Sequence, residues 1–64
     1  MRTVEKLKKY LSESEIIEVA EFAINGRKLE AAKRLQYLLI DKWTMPIGDA
    51  LCICCALADE FSSK

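Results

Sequence analysis

The sequence predicts an all-α protein, a small bundle of three or four helices. Apolar residues recur at helical spacing along most of the chain, and no stretch alternates polar and apolar residues as a half-buried strand would. Helix start and stop signals divide the chain into helices at about residues 3–11, 13–24, 27–43 and 46–61. At 64 residues, we expect one domain that spans residues 1–64.

The first predicted helix is short and amphipathic, and a well-specified boundary follows it. Val4, Leu7, Tyr10 and Leu11 recur at helical spacing, while lysines occupy the opposite side. Ser12 and Glu15 have the spacing of a capping box, in which each side chain accepts a hydrogen bond from the other residue's backbone N–H. This pattern predicts the start of the second helix.

The second and third predicted helices are separated by Asn25-Gly26. Glycine adopts the left-handed conformation after a helix without a Cβ clash, so Gly26 is expected to end the second helix; the alternative is that it kinks a longer one. The second helix is expected to bury Ile16, Ile17, Ala20, Ala23 and Ile24. The apolar stripe of the third comprises Leu29, Ala32, Leu35, Leu39 and Trp43.

The fourth predicted helix is apolar on nearly all sides. Pro46 breaks the third helix and suits the first turn of the next one. A helix apolar all round must be central or shared between subunits, and hydrophobic residues make up 52% of this small chain. We therefore expect a homo-oligomer. The predicted core or subunit interface comprises Ile47, Leu51, Cys54, Leu57, Ala58 and Phe61.

Composition narrows the classes of function. Ten basic and ten acidic residues cancel, so no global field would attract nucleic acid or an anionic membrane. The apolar run from Ala50 to Ala58 is too short to cross a bilayer. Three cysteines crowded on one predicted helix form a poor disulfide framework and fit a reducing compartment. We expect a cytoplasmic protein without membrane contact.

The side chains offer little chemistry. The chain has no histidine, and no pair of carboxylates has a spacing that indicates acid–base catalysis, so we expect no enzyme. Cys52 and Cys55 share a helix face and could form a four-thiolate zinc site only across a dimer. Their apolar neighbours favour packing instead. No metal or cofactor is therefore expected.

Basic and aromatic residues of the third helix are the candidate partner-binding residues. Cations near a helix N-terminus oppose the helix dipole, which a bound phosphate or carboxylate would relieve. The alternative is that these cations face Glu15, Glu18 and Glu21 of the preceding helix. Tyrosine and tryptophan are typical of binding hot spots. The candidates are Arg27, Lys28, Lys33, Arg34, Tyr37 and Trp43.

The segment from Gly26 to Lys33 resembles the helix opening in the C-terminal domain of the bacterial ribosomal stalk protein. Residues Ile47 to Ala50 are similar to the start of that family's next helix. The resemblance implies a helical hairpin that docks protein partners through basic residues, here Lys28 and Lys33. The spacing, the intervening loop and the absence of strands depart from the family pattern.

Together these features predict a small protein-interaction module, an adaptor, regulator or inhibitor that acts as a homo-oligomer. The alternative is a nucleic-acid or nucleotide-phosphate binder that uses the basic start of the third helix. Affinity would then fall steeply with salt.

Overall fold

The computed structural model describes residues 3–62 and confirms the all-α prediction. No strand occurs within that range. The helices pack into a compact globule with a Cα radius of gyration of 10.3 Å. They are α1 (Thr3–Leu7), α2 (Glu13–Ile24), α3 (Lys28–Leu38) and α4 (Ile47–Ser62).

The core lies between α2, α3 and α4, which pack against one another, while α1 packs on α4. All of the buried residues between positions 3 and 62 are apolar. The side chains of the core are therefore held together by apolar burial. The buried residues are Leu7, Leu11, Ile16, Val19, Ala20, Ala23, Ala31, Ala32, Leu35, Leu39, Met45, Ala50, Cys54 and Leu57.

Helix α4 is the central helix of the chain, because it contacts each of the other three. Its residues Ala50, Cys54 and Leu57 are fully buried within this single chain. Of the other residues in the predicted core or interface, Leu51, Ala58 and Phe61 are half-buried against the core, and Ile47 is exposed. The buried seam of α4 therefore has its partners within the chain.

The predicted capping box at the start of α2 is present. The backbone N–H of Ser12 donates to Oε1 of Glu15 at 2.9 Å, and the N–H of Glu15 donates to Oγ of Ser12 at 3.4 Å. Leu11 and Ile16, on either side of this box, are both buried. The box fixes where the chain turns from the end of α1 into α2.

Gly26 ends α2, as predicted. Its φ is +83°, the left-handed region that glycine adopts without strain. The N–H of Arg27 donates to the carbonyl of Phe22 at 2.9 Å, and the N–H of Gly26 donates to that of Ala23 at 3.3 Å. These two bonds form a Schellman motif, which turns the chain back so that α3 packs on α2.

Two predicted helix ends are wrong. The first helix ends at Leu7 instead of residue 11, although hydrogen-bonded turns continue to Leu11. The third ends at Leu38 instead of Trp43, because the chain folds back to bury Met45 in the core. Nε2 of Gln36 donates to the Met45 carbonyl at 2.7 Å and holds this return.

Several residues of the predicted apolar stripes are exposed, among them Trp43, which lies beyond the end of α3. Ile17 and Ile24 of α2 lie outside the buried stripe, and Leu29 at the start of α3 is 54% exposed. The stripe of α2 is instead completed by Val19, which is fully buried. Helical spacing alone predicted an apolar face on α2 that is wider than the face covered by α3 and α4.

Candidate protein-binding surface

In the predicted basic group of α3, the two arginines form ion pairs with glutamates and, within residues 3–62, the two lysines do not. Nε of Arg34 lies 3.3 Å from Oε2 of Glu18 on α2, and Nη2 donates to Oε1 at 3.4 Å. Nη1 of Arg27 lies 3.6 Å from Oε1 of Glu30 on its own helix. Arg34 therefore pairs with the acidic side of α2, as the alternative expected. Arg27, in contrast, lines a groove with Glu18 and Glu21 but forms its ion pair with Glu30.

Lys28 and Lys33 are exposed, and neither forms an ion pair with any residue between 3 and 62. Lys33 lines an open groove between α2 and α3, above the half-buried ring of Phe22. Lys28 does not line that groove. Since Glu18 and Glu30 also line it, the groove carries charges of both signs.

Tyr37 is exposed on α3, where its side chain is 65% accessible. The guanidinium carbon of Arg34 lies 5.6 Å from the centre of its ring, within the range of a cation–π contact. Glu18, Arg34 and Tyr37 thus form one contact chain along the α2–α3 surface.

Trp43 is separate from this group. It packs against Tyr10, with ring centres 6.3 Å apart and ring planes inclined at 58°. Both side chains remain more than two-fifths exposed, although such a tilted pair is a favourable aromatic geometry. The structure therefore divides the predicted binding residues between two surfaces.

The Tyr10–Trp43 groove, as we name it, is an open depression of about 350 Å³. That volume lies at the lower end of the roughly 300–1,000 Å³ typical of ligand pockets. Residues from α1, from the turn that follows it, from the α3–α4 connection and from α4 line the groove: Thr3, Lys6, Leu7, Lys9, Tyr10, Trp43 and Ile53.

Local hydrogen bonds hold both aromatic residues in place. The backbone N–H of Tyr10 donates to the Leu7 carbonyl at 2.9 Å. The N–H of Trp43 donates to the Leu39 carbonyl at 2.8 Å, and Leu39 is fully buried. Each ring is therefore attached to a turn that a core leucine anchors.

Glu60 of α4 fixes the position of α1 and hence of the groove's lysines. Its Oε2 accepts from the backbone N–H of Thr3 at 2.9 Å, and its Oε1 accepts from that of Val4 at 3.4 Å. These N–H groups begin α1 and have no partner within the helix. The Glu60 carboxylate supplies the missing acceptor, and its negative charge interacts favourably with the positive end of the helix dipole.

The groove is positively charged. Lys6 and Lys9 line it and are exposed, and no described carboxylate lines it. Lys6 lies in α1 and Lys9 in the turn that follows it, and both line the same depression. Neither belongs to an ion pair with a residue between 3 and 62, which leaves both charges available to a partner.

The cysteines show no metal-binding arrangement. Among residues 3–62, no group of three or more His, Cys, Asp and Glu side chains could hold a metal ion. Cys52 is exposed, Cys55 is half-buried and Cys54 is fully buried. Burial, with a smaller contribution from Cys55, raises the pKa of the Cys54 thiol to about 11. Its neutral thiol packs as a small apolar group.

Only Trp43 of the groove's lining residues was a predicted binding residue; the others are Lys6, Lys9, Tyr10, Thr3, Leu7 and Ile53. The first three belong to the predicted amphipathic helix, where a lysine-rich face with a tyrosine beside it was a usable signal. Nothing local relates them to Trp43 or Ile53, which are far away in sequence. Their meeting depends on how α1 packs on α4.

Comparisons with protein families, with curated proteins and with solved structures found no match. The resemblance to the ribosomal stalk protein domain therefore stays a prediction. No helix within residues 3–62 is both long and apolar enough to cross a membrane.

Proposed function

We propose that the chain is a non-enzymatic protein-interaction module of the cytoplasm, an adaptor, regulator or inhibitor that binds another protein. The observation that carries this proposal is the Tyr10–Trp43 groove, where two exposed aromatic rings lie beside unpaired lysines. Tyrosine and tryptophan are enriched at binding hot spots, and a concave surface shields such anchors from water. Three free cysteines fit a reducing compartment.

Affinity capture from cells that produce the tagged protein tests the proposal. The groove variant combines Tyr10→Ser with Trp43→Ser, and the control combines Leu29→Ser with Tyr37→Ser, which removes exposed apolar side chains from α3. Circular dichroism first establishes that both variants fold. We expect a protein that is captured in a fixed ratio by the parent and by the α3 control, and lost with the groove variant.

Capture that the groove variant leaves unchanged would refute the groove as the binding site. If nucleic acid is captured, and nuclease treatment releases both it and all of the captured proteins, the alternative function is favoured.

The alternative, a nucleic-acid or nucleotide-phosphate binder, has less support because Arg27 and Arg34 already pair with glutamates. Lys28 and Lys33 are the cations of that group that remain for phosphate. Binding should then fall steeply with salt and be lost when both lysines become glutamate. Nucleic-acid binding that survives this double substitution would exclude the α3 site.

We also propose self-association, which now requires a surface other than the buried seam of α4. Ile47 in the first turn of this helix and Cys52 on its outer side are both exposed. Light scattering over a concentration series gives the mass in solution. An oligomer that Ile47→Glu dissociates into folded subunits would support this interface, whereas a monomer at every concentration would refute it.

A further inference from the structure

We infer that the Tyr10–Trp43 groove binds an acidic protein segment that inserts a large apolar side chain between the aromatic rings and Ile53. The inference rests on the proposed function and adds the chemistry of the partner. Two independent features of the groove determine that chemistry, the apolar character of its floor and the single sign of its charge.

The floor of the groove accepts an apolar group. Leu7 is 2% exposed and closes the bottom, Ile53 is half-buried on α4, and the Tyr10 and Trp43 rings form a wall. A leucine, isoleucine or phenylalanine would bury apolar surface that water now contacts.

The charge of the groove selects an acidic segment. Lys6 and Lys9 line it without a described carboxylate, while the α2–α3 groove contains Glu18 and Glu30 beside its cations. The groove around Val4 and Phe61 is also mixed, since Lys8 lines it with three glutamates. Among the described grooves, this one therefore presents unneutralised positive charge beside an apolar floor.

The shape favours a protein segment over a lipid surface. Leu7 is buried and Ile53 is only half-exposed, so a flat bilayer would contact the exposed lysines and aromatic rings but not this apolar part of the lining. A protruding side chain flanked by carboxylates reaches both the floor and the lysines. Interface anchors of this kind fill pockets, while charged residues at the rim set partner choice and on-rate.

Selection from a displayed library of random short peptides tests the inference without knowledge of the natural partner. We expect the peptides retained by the parent protein to be enriched in aspartate and glutamate around one large apolar residue. Trp43 is the only tryptophan of the chain, so its emission reports binding of each selected peptide directly. Replacing the apolar residue of a selected peptide with serine should weaken binding at least about tenfold.

Charge reversal provides matched variants. Lys6→Glu with Lys9→Glu should weaken the selected acidic peptides by at least about tenfold, because like charges then face each other. Lys28→Glu with Lys33→Glu makes the same change in net charge at exposed positions outside the groove, and should leave the affinity within about twofold. Circular dichroism confirms that both double variants fold.

Each other outcome overturns the inference. Selected peptides without acidic enrichment, no saturable change in Trp43 emission, or equal losses for the two lysine pairs would each exclude an acidic segment in the groove. Vesicles of phosphatidylglycerol that change the Trp43 emission when no acidic peptide does would assign the surface to membranes. If the peptide results are negative but capture of a cellular protein still depends on Tyr10 and Trp43, the proposed function is supported and only the acidic nature of the partner is refuted.

Discussion

At the residue scale, single polar contacts mark where α1 and α2 begin, while the buried residues within 3–62 are all apolar. Glu60 is the clearest case, since its carboxylate accepts from the first N–H groups of α1, which are 56 and 57 residues away in sequence. This contact positions Lys6 and Lys9 at the groove. The Glu60 contact that stabilises α1 should therefore also affect binding in the groove.

Replacing Glu60 with alanine should lower the free energy of unfolding by about 1–2 kcal/mol, because the N–H groups of Thr3 and Val4 lose their charged acceptor. Asp59→Ala is the matched control at an exposed neighbouring position and should stay within about 0.5 kcal/mol. Urea denaturation of both variants measures the difference. Equal effects would show that Glu60 does not hold α1.

The three thiols should react in order of exposure. Cys52 is exposed and should be labelled first by a thiol reagent, Cys55 should follow, and Cys54 should react only when the chain unfolds. Labelling at pH 9 followed by peptide mass spectrometry gives the order. Early modification of Cys54 would contradict a closed core.

The raised pKa of Cys54 also has a consequence for stability. Because its folded pKa is about 11, the unfolded chain releases this proton at lower pH than the folded chain does. The Cys54 contribution to stability is therefore present below about pH 9 and lost as pH rises towards 11.

At the element scale, the two glycines have opposite roles. Gly26 has a φ of +83° beyond the end of α2, whereas Gly48 lies in the first turn of α4 with ordinary geometry. Neither position would bring an added Cβ within 4 Å of another atom, so only the backbone distinguishes them.

Gly26→Ala should cost about 1–2 kcal/mol of stability, because alanine is strained in the left-handed conformation. Gly48→Ala should instead stabilise the chain by about 0.5 kcal/mol, since alanine has the higher helix propensity. Thermal denaturation of the pair gives both signs in one comparison. A loss of stability for Gly48→Ala as large as that for Gly26→Ala would contradict the role of backbone conformation.

The central position of α4 can be tested by comparing a buried leucine of this helix with an exposed leucine of α3. Leu57 is fully buried and Leu29 is 54% exposed, although both lie in helices. Leu57→Ala should cost about 2–5 kcal/mol, which approaches the whole stability of about 3–5 kcal/mol expected for a domain of this size. Leu29→Ala should remain within about 0.5 kcal/mol. Circular dichroism during urea unfolding measures both, and a folded, stable Leu57→Ala variant would place α4 outside the core.

The elements that sequence predicted well are those encoded by neighbouring residues. Ser12 with Glu15 and the turn at Gly26 were predicted because both partners of each contact lie within one turn of chain. The end of α3 was not predicted, because it depends on Gln36 holding a chain segment that buries Met45. Long-range contacts of this kind leave no local pattern.

At the scale of the whole molecule, the chain builds a complete apolar core and still exposes large hydrophobic side chains. They are Tyr10, Ile17, Ile24, Leu29, Tyr37, Ile40, Trp43 and Ile47. Single exposed apolar residues are common on proteins, so most of this set requires no special explanation. Tyr10 and Trp43 differ because they contact each other beside unpaired lysines.

The candidate site was only partly predictable for the same reason. Trp43 was a candidate from its residue type, but Tyr10 is distant in sequence and joins it only through packing of α1 on α4. The basic residues of α3 were recognisable as a group, whereas their partial neutralisation by Glu18 and Glu30 required the structure.

Hydrogen exchange of the backbone amides, measured for the free protein and for its complex with the captured protein partner, tests the central claim most directly. Binding in the Tyr10–Trp43 groove predicts slower exchange at residues 6–11 and 41–44, with the amides of residues 28–38 nearly unchanged. Protection confined to residues 28–38, or spread evenly over the chain, would contradict the groove as the binding surface.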